Sequence, residues 1–253
     1  MRMQKIATLG WALIVFTGLA AAEPAAASCT NASLSGIYGI LLNGSNSSKD
    51  LYAGVYQIDS DGTGGLTGTG TQSSDGTIQT VTLTGTYAIA SNCTGTLTIE
   101  DQSNTVTDYN IVLDDANAEL QLIRTDTGNT VTGEGYALGV AVCGLTGKTK
   151  NFAKRMDGHA IGSSNTPVSV VGRLVLDGKG NATATDTFSE NGVISTHKLT
   201  GTYTSNENCT GTAQITYKGT TYNFVSVAVS AGKKLLVLES DAGTVISGKA
   251  IAQ

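Results

Sequence analysis

Tryptophan, proline, histidine and charge are all scarce in this chain. Its one tryptophan is Trp11, its prolines are Pro24 and Pro167, its histidines are His159 and His197, and charged residues make up 14% of the sequence. Two histidines leave little material for proton transfer at neutral pH or for a histidine-rich metal centre. No G-x-S-x-G, Walker loop, H-E-x-x-H or dinucleotide fingerprint occurs, so no cofactor, metal or catalytic residue is implied and the chain reads as a non-enzyme. A net charge of −5 and the lack of interleaved surface aromatics argue against nucleic acid as a partner. Beyond the N-terminal region no apolar run is long enough to span a bilayer as a helix, so no transmembrane segment is expected in the mature chain.

What the first residues do carry is an export signal. Arg2 and Lys5 precede an apolar run from Ile6 to Ala22, which ends in the small residues Ala25, Ala26, Ala27 and Ser28. A basic start, an apolar segment and an A-x-A site predict a signal peptide over 1–27, cleaved after Ala27, and a secreted or periplasmic protein. An uncleaved anchor is the first alternative, disfavoured by Pro24 and the alanine-rich end. Lipidation at Cys29 is the second, although such sites usually want a larger aliphatic residue three positions earlier. The remaining chain is rich in Gly, Thr, Ser, Val and Ile. β-Branched residues suit a pleated sheet and glycine suits tight turns, which predicts an all-β protein.

The chain is also a duplication. Displaced by 116 positions, Asp61–Ile99 aligns with Asp177–Ile215 without a gap and with 21 identities in 39 positions, among them L-T-G-T-Y and N-C-T-G-T. Asp126, Gly128 and Gly133 answer to Asp241, Gly243 and Gly248 at an offset of 115. Two units follow, 28–138 and 139–253, each domain-sized. Cys29 and Cys93 fall in the first, Cys143 and Cys209 in the second, with separations of 64 and 66. In an exported protein, repeated spacing predicts the disulfides Cys29–Cys93 and Cys143–Cys209.

Alternation supplies the strands. In Leu83–Ile89 the residues Leu83, Gly85, Tyr87 and Ile89 face one way and Thr84, Thr86 and Ala88 the other, the pattern of a strand with one face on a core. In the first unit this predicts eight strands, near 34–42, 51–58, 65–72, 77–90, 94–100, 106–113, 119–124 and 130–138. Asp61-Gly62, Asp75-Gly76, the turn at Asn92-Cys93 and Asp126 to Gly128 supply reversals between them, and the second unit repeats the plan. Short loops between successive strands predict two tandem antiparallel eight-stranded up-and-down β-barrel-like domains, with β-sandwiches as the alternative.

In strand number and order each unit resembles a small calycin-type barrel, the class of lipocalins and avidins, although the G-x-W expected near a lipocalin's first strand is missing. The GTY and CTGT elements are also similar to those of uncharacterised secreted β-rich bacterial proteins. Neither resemblance brings an activity with it.

Candidate chemistry is sparse. Asp59-Ser60-Asp61-Gly62-Thr63-Gly64 looks like the start of a calcium loop, but the second unit has Val175 and Leu176 where the first has Asp59 and Ser60, so a hairpin turn explains what both copies keep. Asp61, Asp177, Asp126 and Asp241 all fall at predicted turns. His159 and His197 have no histidine counterparts. Tyr87 and Tyr203 sit on the core face beside the cysteine turn, where a buried hydroxyl needs a partner; they either lock a barrel end or line a ligand cavity.

Charge separates the copies. Unit one has 2 basic against 12 acidic residues, net −10, and unit two has 11 against 7, net +4. Lys148, Lys150, Lys154 and Arg155 form a basic stretch just after the boundary, a candidate interaction patch. Opposite signs predict docking of the two domains or self-association between molecules. The reading favoured by sequence is therefore an exported envelope or extracellular protein acting through its surfaces, on copies of itself or on an extracellular partner. A barrel holding a small apolar ligand is the alternative, since eight strands enclose room for side chains or one small ligand. A secreted enzyme is the third.

Overall fold

A computed structural model describes residues 28–114, 118–139, 143 and 145–253. The expected leader, 1–27, lies outside the described residues. Among the described residues sixteen strands form two closed antiparallel barrels in tandem, with one 3₁₀ turn at Asn31–Leu34. The first barrel comprises β1 (Ser35–Asn46), β2 (Leu51–Asp61), β3 (Gly65–Ser74), β4 (Thr77–Ile89), β5 (Thr94–Asp101), β6 (Val106–Leu113), β7 (Glu119–Arg124) and β8 (Asn129–Ala137). The second comprises β9 (Lys150–Ala160), β10 (Thr166–Leu176), β11 (Asn181–Glu190), β12 (Val193–Ser205), β13 (Thr210–Tyr217), β14 (Thr220–Val229), β15 (Lys234–Glu239) and β16 (Thr244–Ala252). Closure settles barrel against sandwich. β1 pairs with both β2 and β8, and β9 with both β10 and β16, so neither sheet keeps a free edge.

Local chemistry explains the meander. Asp75-Gly76, Asn191-Gly192 and Lys218-Gly219 take positive φ at both turn positions, the twist that joins adjacent strands with two residues. Both disulfides, Cys29–Cys93 and Cys143–Cys209, are formed, as befits an oxidising compartment outside the cytoplasm. Each ties the segment before its barrel to the turn between the barrel's fourth and fifth strands, so that segment crosses and closes one end.

Not every strand alternates. Tyr38 to Leu42 and Leu235 to Glu239 are buried without a break, because these strands have a barrel interior on one face and the other barrel on the opposite face. Leu41, Ala53, Val55, Tyr136 and Leu138 of the first barrel share a core with Val227, Val229, Leu236 and Leu238 of the second. At Gly39 the barrels approach so closely that a Cβ would lie 2.5 Å from Val229 Cγ1 and 2.9 Å from Val227 Cγ1.

Charges complete the contact. Lys234 Nζ lies 2.7 Å from Glu119 and Lys249 Nζ 2.7 Å from Glu134, so two bases of the positive unit meet two acids of the negative one. Lys234 also stands 3.7 Å from the centre of the Tyr136 ring, whose hydroxyl donates to Glu134 at 2.7 Å. Gly243 N–H donates to Gly76 O at 2.8 Å, joining the β15–β16 and β3–β4 turns, while at the other end Ser230 N–H donates to Ala137 O at 2.9 Å. The barrels therefore stand side by side, pointing the same way.

Candidate functional site

Each barrel is a cup. At the floor of the first, Tyr87 donates to the carbonyls of Asn31 and Leu34, at 3.3 and 3.1 Å, and pins the 3₁₀ turn beneath the strands. In the second, Tyr203 donates to Leu145 O at 2.8 Å and accepts from Gly178 N–H at 3.1 Å. Burial raises both phenol pKa values above the ordinary range. Of the two roles open to these tyrosines, the structure gives them the lock. Neither lines the cavity inside its barrel, so the ligand-lining alternative for Tyr87 and Tyr203 has no support from these two cavities.

The opposite end of each cup is open, and both interiors are hollow. The first encloses about 560 Å³, bounded at the mouth by residues in or beside the turns after β1, β3, β5 and β7, such as Asp50, Ser74, Ser103 and Asn129. On its wall the hydroxyls of Tyr52 and Tyr56 bond to each other and reach Gln72 Oε1 at 3.1 and 2.8 Å. Arg124 faces the same space, held 2.7 Å from Asp126. Desolvation raises the pKa of Tyr52, Tyr56 and Tyr109, so all three present neutral hydroxyls.

The second cup, about 330 Å³, differs in chemistry. Phe188, His197, Tyr217, Tyr222 and Phe224 give it an aromatic wall, and Lys154, Asp186 and Glu239 place charge within it. His197 meets Phe188 and Tyr217 edge-on, with ring centres 5.0 and 4.0 Å apart, and its Nε2 lies 2.8 Å from Ser195 Oγ. Lys154 Nζ is 2.6 Å from Asp186 Oδ2, and the Asp186 side chain is wholly buried with Oδ1 left without a hydrogen-bond partner. Glu239 is 7% exposed. Desolvation first, then the neighbouring Asp241, push its pKa up to about 7, with Lys154 pulling the other way.

The basic stretch does not form one surface. Strand β9 alternates, so Lys154 points into the cup while Arg155 points out and pairs with Asp157 at 3.3 Å, both exposed. Lys150 donates to Gly232 O at 3.2 Å and Lys148 is exposed. The expected patch of Lys148, Lys150, Lys154 and Arg155 is corrected accordingly. The same alternation puts His197 inside the second barrel and leaves His159 outside the cavity wall.

Asp61 and Asp177 act as turn residues, whereas Asp126 and Asp241 tie their turns to strand residues, Arg124 and Asn223. Asp61 Oδ1 accepts the backbone N–H groups of Thr63, Gly64 and Gly65 at 2.7 to 3.0 Å, which lowers its pKa to about 2. Asp177 accepts from Lys179 and Asn181 in the same way. Asp241 accepts from the Asn223 backbone and side chain at 2.7 and 2.6 Å.

Alternation held the signal for the interior residues. Phe152, Lys154 and Met156 share one strand face, two apolar residues bracketing a lysine, and Leu235, Val237 and Glu239 share another.

No protein-family model and no curated protein matches the chain. Among solved structures, kievitone hydratase from Nectria haematococca aligns over 90% of this chain and 94% of its own, at 9% identity and a TM-score of 0.28. A likeness that slight carries nothing about activity.

Proposed function

We propose that this is an exported binding protein that holds small, largely apolar molecules in its hollow barrels, with export directed by the 1–27 leader and its cleavage after Ala27. The observation that carries the reading is the pair of cups, each floored by a disulfide-tied segment and open at the mouth. The second cup has a mainly apolar, aromatic wall with a few placed polar groups, as small-molecule sites generally require, and the first sets polar side chains at its mouth above an aliphatic interior. Part of the charge asymmetry that favoured a surface role is spent within the molecule, at Lys234–Glu119 and Lys249–Glu134.

Titration with N-phenyl-1-naphthylamine, a neutral apolar dye that fluoresces when desolvated, tests this directly. Saturable fluorescence, weakened by Ser195→Trp in the second cup or by Gln79→Trp in the first, is the expected result. No saturable signal, or one that neither substitution alters, would overturn the reading.

A further inference from the structure

The two cups come from one duplicated ancestor unit, yet their interiors have diverged in charge. Arg124 of the first corresponds, at the offset of 115, to Glu239 of the second, so a cation on the seventh strand has become an acid. Three carboxylates line the second cup, Asp186, Glu190 and Glu239, against one cation, Lys154. That cation is committed: it sits 2.6 Å from Asp186, and the pair is neutral as seen from the cavity. Glu239 is left without an ion-pair partner among the described residues, though more than nine-tenths buried. Its own hairpin adds Asp241 behind it rather than a base.

A buried acid with no counter-charge is costly unless something supplies one. Asp186 Oδ1, buried and without a hydrogen-bond partner, is a second group in this wall with unused accepting capacity. Around them stand Phe188, Tyr217, Tyr222 and Phe224, whose ring faces carry negative potential. Aromatic faces together with a carboxylate attract a cation of low hydration.

We propose that the second cup recognises an organic cation, an ammonium group on a small apolar body, with Glu239 as its counter-ion and the aromatic wall as its cage. This rests on the barrels being ligand cups, and it names the ligand class for one of them. The groups facing Glu239 bear out the sign: Asp241 beyond β15 is an acid, Tyr222 from β14 is a neutral phenol, Lys154 across the cup on β9 is neutralised by Asp186 on β11, and His197 on β12 sits between aromatic rings. A bound cation favours the charged form of Glu239, so binding near neutral pH expels a proton.

Benzyltrimethylammonium and its neutral isostere neopentylbenzene separate charge from shape, because the quaternary cation cannot itself titrate. Calorimetry at pH 7 in phosphate and in Tris reads the proton balance. We expect the cation to bind at least about tenfold tighter than the isostere and to release about half a proton. Glu239→Gln should abolish the release and cut the preference for the cation over the isostere to the smaller part that the aromatic wall supplies. An isostere that binds as well as the cation, or a cation that binds without releasing a proton, overturns the assignment. So does N-phenyl-1-naphthylamine entering a cup that refuses the cation, in which case the cups remain binding sites. Failure of dye, cation and isostere together would remove the cup reading itself.

Discussion

Tyr56 lies over Gly70, its partner across β2 and β3, and in the second barrel the same pair of positions is Gly172 and Asp186. The large residue and the vacant one have exchanged strands. A Cβ on Gly70 would fall 2.2 Å from Tyr56 Cδ1, and one on Gly172 would fall 2.0 Å from Asp186 Oδ1. Each interior can accept one side chain at this level, and which strand provides it decides whether the cup receives a phenol or a carboxylate. The exchange is thus a step in the chemical divergence of the two cavities.

Gly70→Ala should therefore destabilise the protein by about 1–3 kcal/mol through overpacking against a ring and a carbonyl. Gly172→Ala should cost about 3 kcal/mol or more, since displacing Asp186 strands Lys154 as a buried charge without its partner. Urea unfolding measures both. Two neutral results would show that these glycines are not packing requirements.

Gly39 is the corresponding test of the barrel–barrel contact. Its absent side chain admits Val227 and Val229, so Gly39→Val should wedge the units apart without breaking either ring of strands. Far-ultraviolet circular dichroism should be unchanged, while the radius of gyration in small-angle scattering rises. By contrast Lys234→Ala should cost only about 1 kcal/mol, because its Glu119 partner is partly exposed and such pairs contribute little. Unchanged scattering by Gly39→Val would mean that the interface tolerates the added bulk.

Period-two alternation and turn chemistry were enough to place the strands, because an antiparallel meander is a local structure: each strand pairs with its neighbour in sequence. The duplication did the same for the disulfides. Other features were harder to read for physical reasons. Tyr38–Leu42 and Leu235–Leu238 lose their alternation where both faces are buried, and a short apolar run alone does not say what lies on its second face. Lys154 and Arg155 are adjacent in sequence and opposite in space, so a run of basic residues on a strand divides between two faces instead of forming one surface. Glu239 and Asp186 each lie on a strand face they share with apolar residues. What sequence could not reveal is that their faces meet across a hollow.

Tyr87 and Tyr203 distinguish a floor from a wall. Tyr87→Phe and Tyr203→Phe should each lower stability by about 1 kcal/mol, the usual net value of a buried hydrogen bond, and Tyr203→Phe should cost more because Gly178 N–H also loses its acceptor. Dye affinity should not change with either substitution. Weakened dye binding at unchanged stability would return these tyrosines to the ligand site.

Glu239 should make the protein less stable as pH rises. Its carboxyl ionises near 4.5 in the unfolded chain and near 7 in the fold, so between those values the folded state holds the extra proton. Stability from this group is complete below about pH 4.5, falls as pH climbs through about 7, and is flat beyond, an overall loss of about 3 kcal/mol at most. Asp61 and Asp177 act with the opposite sign and elsewhere. Their lowered pKa values add stability above about pH 4 that is lost on acidification, toward about pH 2 in the case of Asp61. Glu239→Gln removes the titrating group, so its unfolding free energy in urea should stay level from pH 5 to 8 while that of the parent declines. Parallel profiles for the two proteins would show that Glu239 ionises normally in the fold. In that case the floor and aromatic wall of the second cup would stand as described, but without a buried acid awaiting a cation.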